Sequence, residues 1–271
     1  YSRFAQILLY ISVPLLFYTL FFGSNLNEAS RWITLPVINL TFQTSDLARF
    51  ALIMYTARML SKKQDHIKEF KDAFVPIILP IVIICALIFP ANLSTAVVLF
   101  FTCMILMFIG RVNFKYIAFT FISGLAILSI VIALSYAFPD VGRLGTWQSR
   151  VESFFADGGE EAYQVEQAKI AIAKGGIFGV GPGNSQQRNI LPHPYSDFIY
   201  AIIIEEYGLI GGIIIIGLYL VLLYRCIRIV AKAPNSFGAF LATGLGMSLT
   251  IQAFINMGVA THVLPVTGLT L

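Results

Sequence analysis

Charged residues are scarce in this sequence, and their scarcity decides its class. Of 271 residues, 58% are hydrophobic and only 12% are charged, and the mean hydropathy is +0.81. Soluble domains carry about 25% charged residues, so the composition predicts an all-α, polytopic membrane helix bundle. The basic residues behind the net charge of +4 cluster in short segments, which favours a role in topology over a nucleic-acid partner.

Cysteine and histidine are also few, and their arrangement excludes several kinds of site. The three cysteines show no CxxC spacing and lie in or beside apolar runs, so we interpret them as small buried hydrophobic residues. The three histidines are scattered and do not predict a dedicated metal cage. No nucleophile elbow is present, and no GK[ST] follows the glycine-rich run, which excludes a P-loop. The sequence shows no signal peptide and does not begin with Met, so we expect it to be a fragment.

Long apolar windows are abundant, and about seven of them approach the 20 residues that a membrane span needs. Pro76 and Pro80 predict that the third is kinked or oblique, Pro90–Asn92 predicts a turn after it, and Gly208 predicts a break in the sixth. The windows are Phe4–Phe22, Ser45–Leu60, Phe74–Phe89, Leu93–Gly110, Tyr116–Phe138, Phe198–Tyr224 and Phe237–Met257.

The basic residues predict how the spans are oriented. Three basic segments, Ser61–Asp72, Arg111–Lys115 and Arg225–Lys232, fall on one side when the spans alternate. By the positive-inside rule that side is the cytoplasm. The sequence therefore predicts one transmembrane domain over residues 1–271, with a large extracytoplasmic loop at 139–195. Within that loop, the apolar spacing of Ala162–Lys174 predicts a short amphipathic helix that packs over the site or lies on the membrane.

One stretch, Gly175–Gly212, combines a glycine-rich loop with three carboxylates. Asp197 directly precedes an apolar helix, where an ionisable residue is by default a functional candidate. The alternative is an N-cap, in which Asp197 or Ser196 accepts hydrogen bonds from the first helical turn; capping and catalysis are compatible. Glu205 and its neighbour Glu206 cannot share one helix face, so they have different roles or mark an unwound turn.

Two further polar groups lie in or beside Gly23–Thr44, which the same topology predicts to lie outside the membrane. Arg31 and Trp32 are typical of a membrane interface, and the arginine also suits an anionic headgroup. Asp46 and Arg49 are three residues apart, so they share a helix face and can pair, with Gln43 nearby. Such a pair binds substrate or fixes packing. Together these residues predict an outward-facing polar site for a lipid-linked or anionic substrate, with the reaction undefined.

Five blocks of the sequence, in this order, resemble the SEDS family of FtsW/RodA-type peptidoglycan polymerases, and the GPGNS wording is closer to its division-type members. The blocks are ASRWI at Ala29–Ile33, FQTSDLAR at Phe42–Arg49, Tyr163–Gln187, LPHPYSDFIYAIIIEEYGLIGG at Leu191–Gly212, and NMGVATHVLPVTGLTL at Asn256–Leu271. The chain departs from the family pattern at Thr44, at Asn92, where a carboxylate is usual, at His193 and at Tyr195.

The resemblance implies a fold of ten spans, of which this chain would begin near the third and stop before the tenth. It also implies a glycosyltransferase that polymerises lipid II at the outer face of the cytoplasmic membrane during cell division. Asp197 would be the general base, and polyprenyl pyrophosphate the leaving group. Arg31, Arg49, Lys174 or Arg188 would neutralise the pyrophosphate, and a divalent cation, Mg or Mn, can share that role.

The resemblance also implies a substrate-binding set and a partner. The partner is a class B penicillin-binding protein, a transpeptidase, alongside other division proteins. The binding set comprises Arg31, Trp32, Gln43, Asp46, Arg49, Gln164, Lys174, Gly181, Gly183, Asn184, Ser185, Ser196 and Glu206.

Two alternative functions come from other classes of protein, a lipid II flippase and a non-catalytic division scaffold. A flippase needs ionisable residues along a path through the membrane, and a scaffold has no use for a glycine-rich outer pocket.

Overall fold

The computed structural model describes residues 2–22, 24–26, 29–35, 40–138, 145, 148, 160–191 and 194–267. Over these residues the protein is a helix bundle with one small sheet. The helices are α1 (Ser2–Phe22), α2 (Thr44–Lys62), α3 (Val75–Ile88), α4 (Leu93–Ile109), α5 (Phe114–Ala137), α6 (Glu160–Gly175), α7 (Ile199–Lys232) and α8 (Ser236–Ala260).

Each of the seven predicted spans is a helix, which confirms the multi-span helical fold. Among the described residues, five helical stretches are long and apolar enough to cross a membrane: Phe4–Phe22, Phe70–Ile88, Phe114–Ala137, Ile199–Lys232 and Ser236–Ala260. Helix α4 is apolar but shorter. Helix α2 is more polar, because it carries Asp46, Arg49, Arg58 and Lys62. A π-helical turn at Phe70–Phe74 leads into α3, with Pro76 in its first turn and Pro80 inside it.

The chain forms two compact units. Unit 1 contains 1–123 and 225–248, and unit 2 contains 124–224 and 249–271. The core of unit 1 is built mainly from α2, α3 and α4, with single buried residues of α5 and α8 and two of α1. On α3, Ile77, Ile81, Ile84 and Ile88 recur every three or four residues and are all buried, so they form one face of the helix.

Two hydrogen bonds in unit 1 bring the basic segments to the same end. Gln64 Nε2 donates to the carbonyl oxygen of Gly110 at 3.4 Å, and the hydroxyl groups of Ser61 and Ser236 are 2.6 Å apart. These contacts support the prediction that the basic segments share one side of the membrane. The third segment is itself helical, because α7 continues past the predicted end of the span at Tyr224 to Lys232 and carries the arginines of the segment on its last turns.

A three-stranded antiparallel sheet follows α1 and was not predicted. Its strands are β1 (Ser24–Leu26), β2 (Ala29–Leu35) and β3 (Leu40–Gln43), in the order β1-β2-β3. The register pairs Trp32 with Gln43. The sheet connects α1 to α2, and α2 begins at Thr44 directly after β3 ends at Gln43.

In unit 2, the predicted amphipathic helix is α6, and its apolar face packs into the core. The helix is slightly longer than predicted, and Val165, Ala168 and Ala171 on one face are at most 5% exposed. Ala168 and Ala171 share a core cluster with Phe198 and Ile202 of α7. Apolar residues at this spacing align on a single helix face. Positions 139–144, 146–147, 149–159 and 192–193 of the predicted outer loop, and with them His193, lie outside the described residues.

Candidate functional site

Helix α7 is broken at Gly208, as the sequence predicted. Gly208 has φ 71° and ψ −174°, a conformation essentially confined to glycine. The glycine-rich loop fills the gap with its main chain. Val180 N donates to the carbonyl oxygen of Glu205 at 2.9 Å, and Leu209 N donates to that of Gly176 at 2.9 Å. The loop thus replaces hydrogen bonds that the helix loses at its break.

Glycines make this approach possible on both sides. A Cβ atom at Gly179 would overlap the carbonyl group of Glu206, and one at Gly208 would overlap the carbonyl group of Ile177. Gly175 is equally restricted, since a Cβ there would overlap the carbonyl group of Ile204. Only a residue without a side chain permits main chains to come this close. The glycines at 175, 179 and 208 therefore interlock the loop with the helix.

The buried carboxylate of Glu205 anchors the next part of the loop. Glu205 is 1% exposed, and its carboxylate accepts a short hydrogen bond from Ser185 Oγ. It also accepts from the backbone N–H groups of Gln186 at 3.2 Å and Gln187 at 3.3 Å. Three donors compensate the cost of burying the charge. Glu205 and Glu206 thus have different roles, since the half-buried Glu206 carboxylate has no hydrogen-bond or ion-pair partner among the described residues.

Asp197 lies in the turn just before α7 and is half-buried. Its backbone is fixed from α8, where the fully buried Asn256 donates from Nδ2 to the carbonyl oxygens of Ser196 at 3.0 Å and Asp197 at 3.1 Å. On its other side, Phe198 is 1% exposed in the core of unit 2. The position of Asp197 is therefore set by a helix on one side and by a buried ring on the other.

The other predicted residues of unit 2 lie on α6 and the loop. Lys174 is exposed, and its Nζ donates to Gln186 Oε1 at 2.9 Å. Gly181 and Gly183 have φ values of 99° and 78°, and Asn184 Nδ2 donates to the carbonyl oxygen of Val180 at 3.2 Å. Gln164 and Ser196 are half-buried, whereas Ser185 is only 4% exposed because its hydroxyl group points to the buried anchor.

The other group of predicted residues belongs to unit 1, at the start of α2. Arg49 Nη2 lies 3.6 Å from Asp46 Oδ1, so the predicted pair is formed, with 19% and 46% of the two side chains exposed. Gln43 ends strand β3, and its Nε2 donates to Ser45 Oγ at 2.8 Å. The register places Trp32 beside Gln43, and Arg31 precedes it on β2.

Sequence reasoning assigned no role to Asn256 and left that of Glu205 open. An asparagine within an apolar helix is a signal that can be read from sequence, but the two acceptors of Asn256 lie about 60 positions away in the chain. In the part of the chain that the structure describes, no group of three or more His, Cys, Asp or Glu side chains is placed to hold a metal ion.

Comparison with known proteins identifies the family of this chain. The family model for FtsW, RodA and SpoVE, described as a cell cycle protein, matches residues 1–271. The chain belongs to this family. Stage V sporulation protein E of Bacillus subtilis (strain 168) is 36% identical over 250 residues, which cover 90% of this chain and 65% of that protein. The probable peptidoglycan glycosyltransferase FtsW of Geobacter sp. (strain M18) is 34% identical over 254 residues, 92% of this chain and 66% of the relative.

Two solved structures share the fold of this FtsW/RodA/SpoVE-family chain. One comes from work on the structural coordination of polymerization and crosslinking by a peptidoglycan synthase complex; its TM-score is 0.76 at 23% identity, covering 100% of this chain and 74% of that one. The rod shape determining protein RodA of Thermus thermophilus has a TM-score of 0.67 at 22% identity, covering 99% and 70%. The chain spans slightly less than two thirds of the length of the two relatives named above.

Proposed function

We propose that the protein is a peptidoglycan glycosyltransferase that polymerises lipid II into glycan strands. In this reaction the 4-hydroxyl group of the acceptor sugar attacks C1 of the donor sugar. The new glycosidic bond forms as the bond to polyprenyl pyrophosphate breaks, with inversion at C1. Asp197 acts as general base and takes the hydroxyl proton, while the pyrophosphate leaves with the bonding electron pair.

The fixed position of Asp197 carries this proposal. A general base works only within hydrogen-bond reach of the proton that it removes, and it contributes about 10²–10⁴-fold to the rate. The two hydrogen bonds from Asn256 hold the backbone at Ser196 and Asp197, and a membrane helix starts two residues later. A carboxylate held there suits a lipid-linked substrate whose reacting sugars lie outside the hydrocarbon.

The leaving group needs positive charge as it departs, and stabilisation of developing charge is often the largest single catalytic term. Arg31, Arg49, Lys174 or Arg188 supplies it. Arginine suits phosphate because its planar guanidinium group can donate two parallel hydrogen bonds. A divalent cation can share this role.

The setting of the reaction is also proposed. The positive-inside rule places the basic segments in the cytoplasm and Asp197 at the outer face of the cytoplasmic membrane. The FtsW name of several relatives supports a role in cell division. The synthase-complex structure supports a partner that crosslinks the new strand, and a class B penicillin-binding protein provides that chemistry.

The test is polymerisation of purified lipid II by the whole protein together with its class B partner. Asp197→Asn keeps the size of the side chain but removes the base, so we expect a loss of about 10²–10⁴-fold. Asp72→Asn, which changes an exposed carboxylate in a basic segment, is the matched control and should polymerise at the wild-type rate. An Asp197→Asn variant with wild-type activity would contradict the assignment, and lipid II movement across vesicles without polymerisation would favour a flippase.

A further inference from the structure

A turn in the glycine-rich loop exposes unusually large apolar side chains. Ile177 is 61% exposed. Phe178 is 81% exposed, which is more than any other large hydrophobic residue whose side chain the structure describes. Turns that face water are normally built from polar residues and glycine. The composition of this turn therefore indicates a cover of apolar chemistry.

The hydrogen bonds of the loop fix the level of this turn along α7. Leu209 N donates to the carbonyl oxygen of Gly176 at 2.9 Å, and Ile210 N donates to that of Ile177 at 3.4 Å. At this level α7 itself presents exposed apolar side chains, with Leu209 51% and Ile213 59% exposed. Because α7 is long and apolar enough to cross a membrane, this surface faces lipid.

The length of the helix shows how far the hydrocarbon must extend. From Leu209 to Tyr224 the helix is about 24 Å long at 1.5 Å per residue. Tyr224 is 59% exposed and is followed by Arg225, a combination that marks a membrane boundary. The hydrocarbon of a bilayer is about 30 Å thick. Measured from that boundary, the hydrocarbon reaches past Leu209 and past the level of the turn.

Irregular backbone is tolerated at this depth only if its polar groups are satisfied within the protein. Several bonds meet this requirement here. Gly179 N donates to the carbonyl oxygen of Gly175 at 2.7 Å, and Gly181 N donates to that of Glu206 at 3.0 Å. Val180 N donates to the carbonyl oxygen of Glu205 at 2.9 Å. The N–H groups of Gly179, Val180 and Gly181 are thus paired within the protein, and the exposed side chains of the turn remain available to lipid.

We propose that the Ile177–Phe178 turn re-enters the bilayer and is covered by lipid acyl chains. The loop is then tied to the membrane as well as to α7. Lipid is favoured over a soluble partner because the turn continues the lipid-facing surface of α7 at the same level.

Spin-label accessibility tests this directly. The whole protein would carry Phe178→Cys with a nitroxide label in nanodiscs of phosphatidylcholine and phosphatidylglycerol. Oxygen concentrates in hydrocarbon and a nickel chelate stays in water, so the ratio of the two accessibilities reports depth. Ile213→Cys is the lipid-facing reference, and Asn189→Cys, an exposed position of the same loop, is the aqueous reference. The background would replace the native cysteines Cys85, Cys103 and Cys226 with alanine.

We expect the ratio at position 178 to match that at Ile213 and to exceed clearly that at Asn189. A ratio equal to that at Asn189 would place the turn in water and overturn the proposal. Low accessibility to both reagents would overturn it in favour of a protein cover. Ile177→Cys provides a second label on the same turn. Only labelled variants whose melting temperature equals that of the unlabelled background would be compared.

Discussion

Replacing Glu205 with alanine tests whether the buried carboxylate holds the glycine-rich loop. The change leaves three donors without their acceptor, namely Ser185 Oγ and the N–H groups of Gln186 and Gln187. The contacts from Ser185 and Gln187 are buried and that from Gln186 is partly buried. Each buried donor left unsatisfied costs about 1–3 kcal/mol. Water entering the vacated space recovers part of this cost, so we expect a loss of about 3 kcal/mol or more in the free energy of unfolding.

The neighbouring carboxylate provides a matched control. Glu206→Ala removes the same chemical group one position along the helix, where it is half-buried and accepts no hydrogen bond from a described residue. Its effect on stability should stay within about 0.5 kcal/mol, as for substitutions away from buried networks. The free energy of unfolding of Glu205→Gln should lie between those of the two alanine variants, because the side-chain NH₂ group that it introduces is a donor and faces another donor.

The assay is thermal unfolding in detergent, combined with hydrogen exchange of the peptide that contains residues 180–191. For Glu205→Ala we expect a lower melting temperature and faster exchange at Gln186 and Gln187, whose N–H groups lose their acceptor. Equal melting temperatures for the Glu205→Ala and Glu206→Ala variants, or unchanged exchange in the loop, would refute the anchoring role.

Three further predictions concern the break in α7, the contact from α8 and an exposed ion pair. Gly208→Ala should cost about 1–3 kcal/mol of backbone strain as well as a steric clash, whereas Gly217→Ala, with nothing within 4 Å of the added Cβ atom, should be neutral or stabilising; equal melting temperatures would contradict the interlock. Asn256→Ala should slow polymerisation by up to about 10²-fold through misplacement of the base; if only the KM changes, the positioning role is wrong. His66 Nδ1 lies 2.7 Å from Glu69 Oε1, and this hydrogen bond raises the pKa of His66 above 6.5, so Glu69→Gln should lower that pKa in an NMR titration. Because the folded-state pKa is raised, the pair stabilises the fold below the unfolded pKa, and this stabilisation disappears as the pH rises through the folded pKa.

The helices were predictable because their signals are local. A run of apolar residues identifies each span, and the spacing of Asp46 and Arg49 identifies their pair, which the structure contains. The break in α7 was also predictable, since a glycine follows two carboxylates that cannot share a face. In each case the deciding interaction lies within one helix or one helical turn.

The sheet and the anchors were not predictable for the opposite reason. Strands β1–β3 depend on pairing between segments, and the local sequence of each strand does not identify the strand with which it pairs. The role of Glu205 depends on donors 18 to 20 positions away. The contact of Asn256 is more distant still, at 59 and 60 positions. Sequence alone identified Glu205 as unusual but could not supply the atoms that it meets, and it did not single out Asn256.

The attachment of the glycine-rich loop to α7 uses main-chain atoms for most of its contacts, and this separates position from chemistry. Side chains at Ile177, Phe178 and Val180 contribute nothing to the hydrogen bonds that hold the turn. Substitution there can alter what the turn recognises while leaving its place on the helix unchanged. The glycines therefore fix the main chain of the loop on the helix, whereas the side chains at positions 177, 178 and 180 can vary without moving it.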